Sequence, residues 1–375
     1  MGGCAPAIDI VNRYCEDGNF LLDSQFESGN FHACQVTTNG AFELTIRPED
    51  QPPINNSPWY AFRVSPRRAG EMSVNLQFID GDARYWPKIS TDGRRWQRMD
   101  TGDVTWSEAR DRFELKLDVG ESTLWVAAQE LLTTTWYDAW IRELTERDDI
   151  ATRLLGRSVN GRPIHVAVTA DRPEVVVLLG RQHPPEVTGA LAMRAFVETV
   201  LGDSPLAREF RDRFAVILIP LMNPDGVVEG HWRHNANGVD LNRDWGPFTQ
   251  PETRSILPLL ATLDELGRQI RLMLDFHSTR SNLFYTQPAE ESALAGEFAA
   301  AWLGRARQRL PDYDFRRVAG PTSEQANSKN YFFRRYGIPA ITYESGDETE
   351  RDDLSRSASV FAEEMMRLLL ETPPY

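Results

Sequence analysis

The sequence is poor in cysteine, histidine and positive charge. Its 375 residues include only 3 cysteines and 6 histidines, and 41 lysines and arginines stand against 55 aspartates and glutamates, which gives a formal net charge of -14. So acidic a chain is poorly suited to nucleic acid or to an anionic membrane surface as its main partner. The cysteines, at positions 4, 15 and 34, do not have the spacing of a zinc finger.

Long apolar runs are missing as well. No stretch approaches the roughly 20 apolar residues of a membrane span, so no transmembrane segment is expected, and the 41% hydrophobic content is typical of a soluble globular protein. No complete signal peptide is present, although the first five residues resemble the end of a bacterial lipoprotein signal, in which Cys4 would be lipidated. The compartment, cytoplasmic or exported, therefore stays open, as do the oligomeric state and a disulfide between Cys15 and Cys34.

Residues 1–135 have the pattern of an all-β domain. Short segments rich in aromatic and β-branched residues are separated by turn signals, and the Asp92-Gly93 pair in "STDGRRW" predicts a hairpin. This regular alternation predicts an antiparallel β-sandwich or open barrel. The clearest strand segments are "FELTIRP" (42–48), "WYAFRV" (59–64), "MSVNLQFI" (72–79) and "STLWVAA" (122–128).

Residues 136–375 change to long apolar strands that alternate with helical segments. Such strands are typical of a sheet buried on both faces, so we predict an α/β domain with a mixed, mostly parallel sheet flanked by helices. Helices are expected at 137–149 and from about Glu186 to Leu201. The predicted strands are "PIHVAVTA" (163–170), "EVVVLLG" (174–180), "FAVILIPLM" (214–222), "IRLMLDFHS" (270–278) and "IPAITYES" (338–345).

Polar residues of catalytic type follow the ends of these strands, where ligands bind in open α/β sheets. "VVVLLGRQHPPE" ends in His183 and Glu186, and "RLMLDFHSTR" contains His277. Two imidazoles and one carboxylate, with a fourth position left for water, make a catalytic site for one zinc ion. The strand-to-helix turn lets His183 and Glu186 converge, and Pro184 and Pro185 fix the backbone between them. The H-x-x-E spacing alone is a weak signal, and His277 at a distant strand end strengthens it.

Further residues suit hydrolysis at a substrate that ends in a free carboxylate. Glu344, in "ITYESGD" at the end of an apolar strand, is suited to act as a general base. Arg233 and Arg243 provide fixed positive charge, so that one can stabilise an oxyanion and the other can grip a substrate carboxylate. Asn242 can hydrogen-bond the same carboxylate.

These motifs resemble those of a known family. "HPPE", "MNPDGVVEGHWRH", "GVDLNRDW", "DFHST" and "ITYES" occur in the order and approximate spacing of the zinc metallocarboxypeptidases. The chain most resembles the cytosolic-carboxypeptidase branch, whose zinc motif is H-P-G-E and which carries a β-rich domain before the peptidase. "FESGNFHAC", "LTIRPEDQPPINNSPWYAFRV" and "YWPKISTDGRRW" are similar to that leading domain. The resemblance implies that His183, Glu186 and His277 bind zinc and that Glu344 is general base and then general acid.

The same resemblance implies different roles for the two arginines. Arg233 would polarise the scissile carbonyl and hold the oxyanion, whereas Asn242 and Arg243 would bind the C-terminal carboxylate of the substrate. Pro185 departs from the branch, which has glycine at this position, and it stiffens the turn without removing a ligand.

The motifs do not locate two features that determine substrate specificity in the family. Many digestive members have a mobile tyrosine about twenty residues before the general base, and the segment 321–330 contains no tyrosine. Branch relatives that remove C-terminal glutamates use basic residues in the substrate pocket. The candidates for that role are Arg280, Lys329, Arg334 and Arg335.

We therefore expect a zinc-dependent carboxypeptidase that hydrolyses the C-terminal peptide bond of peptides or proteins. The alternatives are a same-fold zinc amidohydrolase for N-acyl amino acids, similar to aspartoacylase or succinylglutamate desuccinylase, and a cell-wall peptide carboxypeptidase. The segment with Arg233 and the β-rich domain in front favour the peptidase over the amidohydrolase. A catalytically inactive binding protein is disfavoured because every expected position is occupied.

Overall fold

The structure, a computed structural model, describes residues 12–50, 57–322 and 324–373. Cys4, which the sequence connects to a lipoprotein signal, lies outside the described residues. The chain forms two compact units, residues 1–131 with 227–233, and residues 132–226 with 234–375. The first unit therefore includes the segment that ends at Arg233, while the sequence-based boundary at 135 stays a prediction.

The first unit is built from β-strands. Strand β10 shows why, because its side chains alternate between exposed and buried along the whole strand, which is the pattern of a sheet with one face in a core. Its strands are β1 (Tyr14–Glu16), β2 (Phe20–Asp23), β3 (Ala33–Val36), β4 (Phe42–Ile46), β5 (Ala61–Pro66), β6 (Gly70–Phe78), β7 (Lys88–Ser90), β8 (Gln97–Arg98), β9 (Val104–Trp106), β10 (Arg112–Val119) and β11 (Leu124–Ala127).

These strands form two sheets. One has the order β1-β2-β5-β11-β7-β8 and the other the order β3-β4-β6-β10-β9. Pairing is antiparallel except between β4 and β6, and the predicted hairpin joins β7 to β8. The ring of Tyr60, next to β5, packs 5.9 Å from that of Phe78 on β6, so aromatic side chains fill the space between the sheets. Cys15 on β1 and Cys34 on β3 form a disulfide. The predicted antiparallel sandwich is confirmed.

The second unit alternates helices and strands. Its helices are α1 (Thr134–Thr145), α2 (Val187–Val200), α3 (Pro205–Arg213), α4 (Pro224–Glu229, which runs into the first unit), α5 (Pro251–Arg254), α6 (Leu257–Glu265), α7 (Ala293–Arg309), α8 (Ser328–Tyr336) and α9 (Arg351–Glu371). Its strands are β12 (Ile150–Arg157), β13 (Pro163–Thr169), β14 (Glu174–Gly180), β15 (Phe214–Ile219), β16 (Gln269–Thr279), β17 (Leu283–Thr286), β18 (Arg316–Ala319) and β19 (Ala340–Gly346).

One sheet of eight strands organises this unit, with the order β12-β13-β15-β14-β16-β19-β17-β18. Its centre, from β15 through β14 and β16 to β19, is parallel, whereas β12 and β13 are antiparallel. All seven residues of β14 are buried, and α2 and α8 both pack against β16 and β19. The predicted mixed α/β sheet flanked by helices is confirmed. Among the described residues, no helix is both long and apolar enough to cross a bilayer.

Candidate metal centre

His183 and Glu186 lie in the turn between β14 and α2. After β14 ends at Gly180, Arg181 takes a left-handed backbone conformation with φ 52°. The Glu186 N–H donates to the His183 carbonyl at 3.3 Å, which closes the turn. Glu186 stands at the amino-terminal cap position of α2, but its carboxylate does not cap the helix. That carboxylate is therefore available to the side chains at the end of the sheet.

His277 lies near the end of β16, between two parallel neighbours, β14 and β19. In the pairing of β16 with β19, His277 lies opposite Glu344. Paired residues of neighbouring strands project to the same face of a sheet, and the strands are about 4.8 Å apart. The backbone register alone therefore places the side chain of Glu344 beside that of His277.

Helix α2 lies against β16 at Gly189. A Cβ atom on Gly189 would lie 2.4 Å from the carbonyl oxygen of His277, far inside the normal contact distance. The Gly189 N–H donates to Ser278 Oγ at 2.7 Å, and Thr188 Oγ1 donates to the same oxygen at 2.8 Å. The helix that begins next to Glu186 is thus held on the backbone of His277.

Three buried side chains converge between these elements. His183 Nδ1 lies 2.8 Å from Glu186 Oε1, His277 Nδ1 lies 2.7 Å from Glu186 Oε2, and the two Nδ1 atoms are 3.2 Å apart. None of the three residues is more than 4% exposed. Zinc bonds of about 2.1 Å in a tetrahedral site separate neighbouring ligand atoms by roughly 3.4 Å. The donor types and their convergence on one point therefore match a zinc site, although the separations are shorter than those around a bound ion.

An aspartate holds each imidazole on the side away from this cluster. His183 Nε2 lies 3.0 Å from Asp240 Oδ1, and His277 Nε2 lies 2.9 Å from Asp275 Oδ2. A carboxylate at Nε2 keeps the proton on that nitrogen and leaves Nδ1 with a lone pair for a metal. The donor chemistry of both histidines thus matches a metal site.

Gln182 in turn holds one of these aspartates. Its Nε2 donates to Asp275 Oδ2 at 2.6 Å, and its Oε1 accepts a hydrogen bond from Trp245 Nε1 at 2.8 Å. Ser328 Oγ donates to the same Asp275 oxygen. Both rotamer and charge of Asp275 are therefore stabilised by donors other than His277.

The electrostatics of the cluster favour a cation. Burial raises the pKa of the Glu186 carboxyl, but the charges and hydrogen bonds of His183 and His277 hold it well below its usual range. Burial lowers the pKa of the His277 imidazole, but Asp275 and Glu186 raise it well above its usual range. Three carboxylates, those of Glu186, Asp240 and Asp275, surround two imidazoles. These carboxylates would stabilise a divalent cation bound between the imidazoles.

Asn242 and Arg243 lie in a short 3-10 turn, Leu241–Arg243. Asn242 is buried, its Oδ1 accepts from the Ser328 N–H at 3.0 Å, and its Nδ2 lies 3.3 Å from His277 Nε2. Arg243 is partly exposed and its Nη1 donates to the Asn242 carbonyl at 2.7 Å. The structure therefore brings Asn242 to the histidine cluster, whereas its amide oxygen is engaged by α8.

Arg233 belongs to the first unit. It is 4% exposed, and its N–H donates to Glu49 Oε1 at 3.0 Å. The N–H of Trp232 donates to the other carboxylate oxygen of Glu49 at 2.7 Å. The backbone at Arg233 is thus fixed by one carboxylate, and its catalytic role stays a prediction.

The "NPDG" segment supports the turn that carries His183. Asn223 Nδ2 donates to the Gln182 carbonyl at 3.1 Å, and its Oδ1 accepts from the Gly226 N–H at 2.9 Å. A Cβ atom on Gly226 would lie 2.5 Å from Pro184 Cγ. The asparagine and the glycine of this motif are therefore explained by contacts with the turn.

Several residues of the site were missed by the sequence analysis. Asp275 lies two positions before His277 and so shares its face of the strand, and Asp240 lies two positions before Asn242; these spacings were the available signal. Gln182 offered none. Tyr285 lies on β17, on the other side of β19, and burial together with the charge of Glu344 raises the pKa of its hydroxyl.

The four basic candidates for a substrate pocket differ in burial. Lys329, the second residue of α8, is 9% exposed. Arg280 is exposed, and Arg334 and Arg335 form exposed ion pairs. Burial lowers the pKa of the Lys329 ammonium and Glu291 raises it in part. Lys329 is therefore the one of the four with a buried, incompletely compensated charge.

The fold is a mixed α/β sheet with a buried His-Glu-His donor set at the carboxyl ends of parallel strands, which is the arrangement found in metal-dependent hydrolases. Residues 137–359 match the zinc carboxypeptidase family, and residues 22–128 match the cytosolic carboxypeptidase N-terminal domain. Since the first match covers more than half of the chain, this chain belongs to the zinc carboxypeptidase family, whose members are zinc-dependent hydrolases. The resemblance seen in the motifs is confirmed.

Individual proteins similar to this chain are also carboxypeptidases. Cytosolic carboxypeptidase 2 of Xenopus tropicalis is 26% identical over 313 residues, which are 72% of this chain and 32% of the relative. Cytosolic carboxypeptidase 6 of Homo sapiens is 25% identical over 76% of this chain and 63% of the relative. The chain thus spans less than two thirds of either relative. A metallo-carboxypeptidase from Burkholderia cenocepacia shares the fold, with a TM-score of 0.75, 20% identity, and coverage of 94% of this chain and 98% of that chain.

Proposed function

We propose that this protein is a carboxypeptidase that uses one zinc ion, held by His183, Glu186 and His277, to hydrolyse the C-terminal peptide bond of a peptide or protein. The observation that carries the proposal is the convergence of three buried donor side chains next to the register partner of His277, Glu344. Membership of a family of zinc peptidases supports the same reaction.

Each remaining residue has a proposed task. A zinc ion in this site supplies a Lewis acid that polarises a carbonyl and lowers the pKa of water. Glu344 accepts a proton from the attacking water and returns it to the leaving amine, and its place opposite His277 supports this. Arg233 holds the oxyanion, and Asn242 with Arg243 binds the free carboxylate of the substrate; these three roles rest on the family resemblance.

The test uses matched peptides that differ only at the C-terminus, one with a free carboxylate and one amidated. Digestion is followed by mass spectrometry, and metal is counted in protein purified without added zinc. We expect one zinc per chain and removal of the last residue from the free peptide only. Equal cleavage of both peptides would show that the free carboxylate is not recognised.

The amidohydrolase alternative is not favoured by the comparisons, because both halves of the chain match carboxypeptidases. N-acetyl-aspartate and succinyl-glutamate serve as control substrates in the same assay. We expect neither to be turned over at a rate comparable to the peptides.

Lys329 supports a preference for an acidic C-terminal side chain. A buried ammonium lacks the hydration that an exposed one keeps, so a carboxylate from the substrate would restore much of the lost stabilisation. Its helix is anchored at the site, because the preceding residue, Ser328, donates to Asp275 and to Asn242. Peptides that end in glutamate should therefore be cleaved faster than those that end in glutamine.

The Cys15–Cys34 disulfide supports the exported alternative for the compartment, because stable disulfides form in oxidising environments. Thiol titration of protein taken from its host without reductant tests this. Two additional reactive thiols in the denatured chain, assigned to Cys15 and Cys34 by mass spectrometry, would place the protein in a reducing compartment.

A further inference from the structure

Arg181 is energetically unfavourable in two ways, through its backbone conformation and through its buried charge. It is a non-glycine residue in the left-handed region, with φ 52°, which costs on the order of 1 kcal/mol or more. It is also a cation with only 2% of its surface exposed, and no carboxylate lies within ion-pair distance of it among the described residues. Glycine would satisfy the backbone without strain, so the guanidinium needs its own explanation.

The contacts of the guanidinium point to the metal turn. Arg181 Nε donates to the carbonyl of Pro184 at 2.8 Å, and Nη1 donates to the hydroxyl of Tyr137 at 3.2 Å. Two prolines lie between the ligands His183 and Glu186, and Arg181 donates to the carbonyl of the first of them, Pro184. Gly226 packs against the ring of Pro184. Tyr137, on α1, is fully buried itself and fixes the guanidinium.

The two residues that follow β14 thus each support a different part of the donor set. Arg181 holds the turn that carries His183 and Glu186, and Gln182 holds Asp275, which contacts His277. The left-handed backbone at Arg181 bends the chain between the strand and this turn.

We propose that Arg181 is a positioning residue for the zinc site: its guanidinium, held by Tyr137, fixes the Pro184 carbonyl and keeps His183 and Glu186 in register for the metal. The proposal rests on the proposed zinc site and deepens it. It predicts that zinc affinity depends on the guanidinium.

Arg181→Gly separates the two costs, because glycine accepts the backbone conformation without strain but has no guanidinium. Zinc affinity is measured by competition with a chromogenic chelator, and the melting temperature is measured on metal-free protein. We expect the zinc dissociation constant to rise by about 10- to 100-fold, as for other residues that orient metal ligands, while the metal-free melting temperature reports separately the cost of the cavity and of the unpaired Pro184 carbonyl and Tyr137 hydroxyl. An unchanged zinc affinity would overturn the proposal.

Arg181→Lys and Arg181→Met form a matched pair. Both keep an aliphatic side chain and the strained backbone, but only lysine keeps a donor for the Pro184 carbonyl. We expect Arg181→Lys to bind zinc more tightly than Arg181→Met, and Tyr137→Phe to lie between wild type and Arg181→Met. Equal zinc affinities for the lysine and methionine variants would contradict a role for the donated hydrogen bond, and this pair decides the question if the glycine variant does not fold.

The result also separates this inference from the proposed function. If wild-type protein takes up no zinc, the proposed function fails. If wild type binds zinc and all three substitutions at Arg181 bind it equally well, only the positioning role fails.

Discussion

The two ends of strand β14 bury ionisable residues in different ways. At its first residue, Glu174 meets the guanidinium groups of Arg213, at 3.2 Å for the Nη2 to Oε1 contact, and of Arg271. At its other end, the chain enters the turn with His183 and Glu186. Guanidinium groups keep their protons, so the first cluster is permanently ion-paired. An imidazole can release a proton and offer the resulting lone pair to a metal, so the second cluster can exchange protons for a metal.

Buried charge alone does not identify a functional site. Glu174 and Arg271 are buried like the histidine cluster, and Arg213 is partly exposed. Each charge of the Glu174 cluster faces an opposite charge or a carbonyl. The histidine cluster has more carboxylates than imidazoles and donor atoms aimed at one point. Variants at the histidine cluster should therefore lose activity or zinc affinity, whereas variants at the Glu174 cluster should lose folding stability.

The largest expected effect is on catalysis at the carboxyl end of the sheet. Glu344→Gln keeps the size of the side chain but removes the proposed base, so kcat should fall by about 10² to 10⁴-fold. The metal content should stay at the wild-type level because Glu344 is not among the three donors. Steady-state kinetics and metal analysis on the same preparation check this, and a kcat within twofold of wild type would refute the role.

The Glu174 cluster should respond in stability instead. Arg271→Met leaves a buried carboxylate with one of its two guanidinium partners and should lower the free energy of unfolding by about 3 kcal/mol. Arg305→Met is the matched control, because Arg305 pairs with Glu371 at the surface, and its cost should stay below about 1 kcal/mol. Urea denaturation measures both. Zinc affinity should be unchanged in each, and a loss of zinc from Arg271→Met would erase the distinction between the two clusters.

An intermediate effect is expected for the aspartate behind His277. Asp275→Asn removes the charge that orients the imidazole, and it places an amide where Asp275 Oδ1 has no hydrogen-bond partner within residues 12–50, 57–322 and 324–373. Zinc affinity should weaken by about 10- to 100-fold. Asp225→Asn is the control, because that buried carboxylate contacts Ser158 and Arg162 rather than a metal ligand. Chelator competition should show tighter zinc binding in the control than in Asp275→Asn; the reverse order would contradict the assignment.

The smallest expected effect concerns Lys329. Its buried ammonium has no ion pair with a carboxylate in the part of the chain that the structure describes, whereas Arg271 is paired with Glu174. Lys329→Met should reduce the preference for glutamate over glutamine at the substrate C-terminus by about tenfold, whereas Arg334→Met should not. Because burial lowers the pKa of this ammonium, the preference should be present at neutral pH and decline as pH rises, below the ordinary lysine range. The ratio of kcat/KM values for the two peptides at each pH measures it, since titrations common to both substrates cancel. If this ratio changes neither with pH nor with substitution of Lys329, then Lys329 is not part of the substrate pocket.

Strand ends and motif order predicted much of the site from sequence. The segment 174–180 was predicted as a strand with the bounds observed, and His183, Glu186 and His277 were predicted to converge because parallel strands end at one edge of a sheet. Strands β12, β17 and β18 were not predicted. β12 has a register shift and mixed burial, and β18 is largely exposed, so neither has a regular hydrophobic period.

The residues that orient the donors were beyond the reach of sequence patterns. Gln182 meets Asp275 across 93 positions and Arg181 meets Tyr137 across 44, and a side-chain hydrogen bond over such a separation leaves no local period. The left-handed backbone of Arg181 is also hidden, because arginine gives no turn signal as glycine or asparagine does. The metal-donor residues could be predicted from local sequence patterns. The residues that orient them could not, because their contacts depend on the tertiary fold.

The close approach of α2 to β16 has a consequence for recognising such chains by sequence. Any side chain at position 189 would push its Cβ into the His277 carbonyl oxygen, so a chain with this helix placement needs glycine three positions after the ligand Glu186. The informative pattern is then the whole of "HPPEVTG", from 183 to 189, rather than its first four letters. A search profile that weights this glycine like a ligand would reject helix starts that merely contain H-x-x-E, without any knowledge of the second histidine.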